Sequence, residues 1–303
     1  MSRPLAIALV ALVAFFAIYA VAVRTEAGQH ADEAALVGGR DTPTRAQSGA
    51  SRLLNLVSVG SLGAAVIALG AFAWLWRRPW AFALPAAIVG LSLLATELFK
   101  LAILSRPHLW PSSLGGNTYP SGHTTIATSL GLSAVLIAPE RLRAAVAVPA
   151  ALLAGGVGIL VMTAEWHRPS DPLGSYALTL AITAGIVGVL SALDRGEAAT
   201  ARVDPRTSPP STALARRLEG AAITGGVVLF LGAVMLAALR YGPDVAWNRP
   251  HAAFLGAIAA ILAAAGITVG ALVRALPDAP SRVRPSKPKH TSRLTSSSWR
   301  RLS

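Results

Sequence analysis

Apolar residues in this chain fall in blocks of about 20 separated by short polar stretches, the length a helix needs to cross a bilayer. Eight blocks stand out, at about 4–23, 53–76, 81–104, 123–138, 144–164, 173–193, 220–238 and 252–273. Backbone groups in lipid must be satisfied within their own segment, so each block predicts a helix. The long Ala/Leu/Val runs lack the alternation of a membrane β-barrel. The expected fold class is all-α, a polytopic membrane helix bundle of about eight transmembrane helices. The first block is longer than a usual signal-peptide core, which favours a retained anchor. The fourth is short and suits a helix that begins below the membrane surface.

Two stretches break this pattern. Residues 24–52 are polar, with an amphipathic piece around 27–36; a lid lying on the surface and a solvated loop are both compatible with it. Residues 277–303 are rich in Pro, Ser, Arg and Lys, a composition that predicts a disordered tail. No internal repeat is evident. The expected organisation is a membrane core over 1–195, a loop with two further spans over 196–276, and the basic tail over 277–303.

Charge gives this bundle a direction. The net charge is +13, with eight Lys and Arg after Val273. Beside a membrane span, a basic tail is better matched to anionic headgroups than to nucleic acid. One set of loops carries 18 Lys and Arg and the other 8, with Lys100 inside a span. The Lys/Arg bias therefore predicts both termini in the cytoplasm of a plasma (inner) membrane protein. The loops at 105–122 and 165–172 then face outward. Cysteine is absent, which excludes disulfides, thiolate metal sites and a cysteine nucleophile. Trp110, Trp166 and Trp247 suit anchors at the outer interface.

Three short stretches carry the candidate chemistry. Lys100 lies near the outer end of an apolar span, three residues after Glu97 and shortly before Arg106 and Pro107. A charge there is functional by default, or it snorkels and pairs with Glu97. In Tyr119-Pro120-Ser121-Gly122-His123 a glycine turn leads into a span, so free helix N–H groups offer an anion site. His123 can donate a proton to the same anion; an ordinary helix start is the plainer reading. In His167-Arg168-Pro169-Ser170-Asp171 the His and Asp are four apart. The carboxylate can fix one imidazole nitrogen and leave the other free to attack. A capped helix start gives the same spacing, and a metal site would need more ligands than the outer loops supply. The charge-based topology puts all three stretches at one face, where cations and two His can bind and process a phosphate.

Together, Lys100…Arg106-Pro107, Pro120-Ser121-Gly122-His123 and His167-x-x-x-Asp171 resemble the three motifs of the type 2 phosphatidic acid phosphatase (PAP2) superfamily. The resemblance covers roughly residues 50–195 and implies a six-helix core. It implies that His167 attacks phosphorus, Asp171 orients it and His123 protonates the leaving oxygen. Lys100, Arg106, Ser121 and the Gly122 backbone would bind phosphate, with no metal and no cofactor. The implied activity is hydrolysis of a lipid phosphate or polyprenyl pyrophosphate at the outer face. Alternatives are phosphotransfer to an alcohol, or a non-catalytic scaffold or transporter of the same fold. Two departures bear on this. Five residues separate Lys100 from Arg106, where the family usually has six. Leu160-Val161 stand where the third motif usually opens with Ser-Arg. Arg168 is the candidate replacement for that phosphate-binding Arg. Oligomeric state is not legible.

Overall fold

The computed structural model describes residues 2–40, 43–75, 82–198 and 250–276. Among these the elements are α1 (Arg3–Ile18), continued by a π turn (Tyr19–Val23), α2 (Glu26–Gly38), α3 (Thr44–Leu54) and α4 (Val59–Leu75). Then come α5 (Leu84–Leu98), continued by a second π turn (Phe99–Ile103), and α6 (Gly122–Ile137). A short 3-10 turn (Glu140–Leu142), α7 (Arg143–Thr163), α8 (Ser170–Ala198) and α9 (Pro250–Ala275) complete the order. The protein is an all-helical membrane bundle. Among the described residues five helices are long and apolar enough to cross a bilayer, and six if the bent pair α3–α4 counts as one span. The shorter apolar helix α6 adds a buried segment. The block at 220–238, the tail from 277 and the anchor assigned to Trp247 lie outside the described residues.

α8 is the central element. It packs along α1 and also touches α5, α6 and α9, while α6 packs on α7 and α5. Small residues allow this closeness, as is usual where lipid supplies no hydrophobic drive between helices. A Cβ on Gly131 would lie 3.2 Å from the Ala150 Cβ across the α6–α7 contact. The main core joins Ala11, Leu132, Ala150, Leu180, Ala184 and Leu272, drawn from α1, α6, α7, α8 and α9. Large apolar residues such as Val10, Leu94 and Leu152 point outward, the inversion expected when the solvent is lipid.

Two expectations change. The second block does not run straight from 53 to 76. The chain breaks between Leu54 and Val59, and the two helices meet at 63°. The break is capped reciprocally: the Ser58 N–H donates to Ser61 Oγ (2.8 Å) and the Ser61 N–H to Ser58 Oγ (3.2 Å). This is the geometry of a capping box, with serine in the place of the usual Glu or Gln. The stretch 24–52, read as a lid or a solvated loop, forms α2 and α3, and α2 is built into the bundle. Gln29, Asp32, Glu33, Ala34, Ala35 and Leu36 are all buried, and α2 packs on α9.

Candidate functional site

The three sequence stretches meet at one end of the bundle. Ser121 and Asp171 are joined directly, the Ser121 N–H donating to the Asp171 carbonyl at 3.3 Å. Ser175 Oγ donates to the carbonyls of Ser121 (2.8 Å) and Asp171 (2.9 Å). These bonds lock the first turns of α6 and α8 side by side. The turn from α6 to α7, at 138–142, lies at the opposite end, as does Arg3, whose Nη1 donates to the Arg274 carbonyl at 3.4 Å.

α6 begins where Ser121 caps it, its Oγ accepting from the Thr124 N–H at 3.4 Å. That is the ordinary N-cap pattern for serine. Gly122 and His123 fill the first turn, where N–H groups are free and the helix dipole favours an anion. Lys100 approaches this turn from the second π turn, in which the Leu104 N–H reaches back five residues to the Phe99 carbonyl at 2.8 Å. π turns are rare and concentrate at functional sites. Its Nζ pairs with Glu97 Oε1 at 3.1 Å. Both atoms stand close to the Gly122 face, 3.9 and 3.6 Å from where a Cβ would be. The pairing foreseen as the plainer alternative thus occurs at the candidate site itself.

His167 is presented by a tight reversal at the end of α7. The Trp166 N–H donates to the Val161 carbonyl at 3.0 Å and the Glu165 N–H to that of Met162 at 3.0 Å, the paired bonds of a Schellman motif. The residue at the left-handed position is Glu165, with φ 56, where glycine is usual. His167 Nδ1 then meets Asp171 Oδ2 at 3.0 Å. The same oxygen accepts the Arg168 N–H at 3.0 Å, and Asp171 is fully buried. A carboxylate on Nδ1 leaves Nε2 as the free nitrogen of the imidazole. His123 lies within electrostatic reach of His167 and Lys100. Its ring centroid is 5.4 Å from that of Trp166, so Trp166 borders the site. Trp110 packs on His30 with ring centroids 4.3 Å apart.

The two arginines are held differently. Arg106 Nη2 pairs with Asp32 Oδ2 at 3.3 Å, both side chains nearly buried. Its Nη1 is buried without a hydrogen-bond partner among the described residues. Arg168 is 1% exposed. Its Nη1 donates to Thr118 Oγ1 at 3.0 Å and its Nη2 to Ser112 Oγ and the Leu114 carbonyl, which leaves Nε without a partner among the described residues. Arg168 thus fastens the 112–118 loop over the site. Val161, in the place of the family's Arg, is fully buried.

Sequence reasoning missed Asp32 and Glu33. Glu33 accepts from Ser112 Oγ (2.7 Å), the Ser113 N–H (3.0 Å) and Ser113 Oγ (2.8 Å). These bonds hold its carboxyl below the usual range although burial opposes them. Adjacent acidic residues on an amphipathic stretch read as a wetted face, and only their long-range partners mark them otherwise. Among the described residues no three His, Asp or Glu side chains gather in a set able to hold a metal ion.

No protein-family model matches the chain, and neither does any curated protein. A solved structure does, described as the crystal structure of the first transmembrane PAP2 type phosphatidylglycerolphosphate phosphatase from Bacillus subtilis. It is 23% identical, with a TM-score of 0.50, and the match covers 63% of this chain and 98% of that one. With the three motifs gathered at one end of the bundle, the chain has the fold of a transmembrane PAP2-type phosphatase.

Proposed function

We propose that this protein is a membrane phosphatase that hydrolyses a lipid phosphate or polyprenyl pyrophosphate through a phosphohistidine, without a metal, at the outer face. The observation that carries this reading is the His167–Asp171 pair at 3.0 Å, set beside a helix N-terminus that bears His123 and faces Lys100. In the first step His167 Nε2 attacks phosphorus and an N–P bond forms. The P–O bond to the lipid breaks as His123 passes a proton to the leaving oxygen. In the second step His123 takes a proton from water, the water oxygen attacks phosphorus, and the N–P bond breaks to release inorganic phosphate. Asp171 holds the imidazole tautomer and balances its developing positive charge. Lys100, Arg106, Ser121 and the Gly122 N–H bind the phosphate oxygens, and Arg168 adds charge and fixes the loop above them.

The setting of the site, at the end of a lipid-exposed bundle, supports a lipid substrate. A phosphatidic or phosphatidylglycerol-type phosphate and a polyprenyl pyrophosphate all fit this chemistry. The test is release of inorganic phosphate by the purified protein in detergent with EDTA present. Activity should persist in EDTA and disappear in His167→Ala. Vanadate should inhibit, because it adopts the trigonal bipyramid of the phosphoryl transition state and such analogues bind tightly. Activity lost to EDTA and restored by a divalent metal would sink the metal-free mechanism. No phosphate release from any of these lipids would favour a scaffold or transporter, the reading to which the buried Val161 lends weight.

A further inference from the structure

α2 lies outside the three motifs, yet it reaches into the site. Asp32 makes three bonds. Oδ1 accepts the Ser170 N–H at 3.1 Å, and Oδ2 accepts Ser170 Oγ at 2.6 Å and Arg106 Nη2 at 3.3 Å. Ser170 is the first residue of α8 and directly precedes Asp171. One carboxylate therefore joins the candidate phosphate arginine to the turn that carries the orienting carboxylate of the candidate nucleophile. Arg106 is left with one terminal nitrogen held and the other, Nη1, buried and unpartnered. A guanidinium is a rigid fork. Fixing one prong fixes where the other points. The neighbouring Glu33 acts alike on the second arginine, since Ser112 donates to Glu33 and accepts from Arg168.

We propose that Asp32 is a positioning residue for the phosphate site: it aims the free prong of Arg106 at the phosphate and fixes the first turn of α8. This rests on the phosphatase reading above. It makes α2 part of the functional unit, so recognition of phosphate depends on a helix the motifs do not include. The charged or titratable groups that act on Asp32 are Arg106, Arg168, Asp171 and Tyr119.

The test uses the full chain in detergent and inorganic phosphate as probe. Binding is read from the fluorescence of tryptophan, because Trp166 borders the site, and from competitive inhibition of lipid phosphate hydrolysis. Asp32→Asn keeps an acceptor for Ser170 but loses the charge on Arg106. It should weaken phosphate binding about tenfold, the lower end of what losing an orienting partner costs at other sites. In an Arg106→Ala background the same substitution should add nothing. Asp32→Asn with wild-type affinity, or an equal loss without Arg106, would overturn the proposal. If Asp32→Asn does not fold, Ser170→Ala removes one of the bonds seating Asp32 and should weaken phosphate binding in the same direction; unchanged affinity there overturns it too. A wild-type protein that neither binds inorganic phosphate nor releases it from lipid fails the phosphatase reading instead, before any variant is compared.

Discussion

At the scale of single residues, the two histidines are separable by their chemistry. In the proposed mechanism His123 protonates an alkoxide leaving group as the P–O bond breaks, a contribution worth about 10²–10⁴-fold. A phenolic leaving group needs much less help. His123→Ala should therefore lose most activity on a lipid monoester and keep more on an aryl phosphate. His167→Ala should lose both equally, and Asp171→Asn should resemble a weaker His167 variant, since Asp171 Oδ2 seats His167 Nδ1. Parallel losses on both substrates in His123→Ala would remove its assignment as the acid.

Asp32 offers a second test at this scale. Burial, and after it the neighbouring Asp171, push its carboxyl up to about 6 from 3.8, against the lowering by Ser170 and Arg106. Between those values the folded protein keeps a proton that the unfolded chain has released. The stabilising contribution is complete below 3.8 and is lost as pH rises through 6. The size is about 3 kcal/mol at most, from the free energy per pH unit. Asp32→Asn cannot ionise, so its stability relative to wild type should improve from pH 4 to pH 7, measured by thermal unfolding in detergent. Parallel pH profiles would contradict this. A variant that gains stability relative to wild type toward pH 7 while binding phosphate less well is not what a purely structural role would produce.

At the scale of elements, the sequence is legible where one pattern has one solution. The apolar runs that became α1, α5, α7, α8 and α9 needed only length and hydropathy. The glycine turn at Ser121 and the His167–Asp171 spacing needed only local geometry. α2 was opaque for a physical reason: Asp32 and Glu33 are satisfied by Ser170, Arg106, Ser112 and Ser113, partners at least 74 residues away. The α3–α4 break was hidden because it lies next to a continuous apolar run, and serines supply its cap. The reversal after α7 was hidden because the left-handed position is filled by glutamate, not glycine. The side chain gives some compensation through Arg40 Nε, 3.2 Å from Glu165 Oε2, with both groups partly exposed. Replacing Glu165 by Ala or by Gly removes that pair alike, and only Gly removes the steric cost of the conformation, about 1–2 kcal/mol. Glu165→Gly should thus unfold later than Glu165→Ala by roughly 1 kcal/mol, after allowing for the greater freedom of unfolded glycine. Equal stabilities would show that the turn relaxes once the carboxylate is gone.

For the whole molecule, the question is which way the bundle faces. α6 alone spans about 24 Å at the usual helical rise, and it separates the end that carries His167 from the 138–142 turn. The Lys/Arg count of 18 against 8 predicts the His167 end outside. That count rests on segments outside the described residues, among which the two sets stand at five against six. A phosphatase facing outward would meet lipid phosphates delivered to the outer leaflet; one facing inward would meet those made in the cytoplasm. The chain has no cysteine, so single cysteines report without background. Gly115 is exposed in the loop over the site and has open space around it. Glu140 is exposed in the turn at the other end. On intact cells whose outer barrier is permeable to the reagent, Gly115→Cys should react with a membrane-impermeant maleimide. Glu140→Cys should react only after the membrane is opened. The reverse pattern would place His167 in the cytoplasm and would leave the chemistry of the site intact while changing the pool of lipid it can reach.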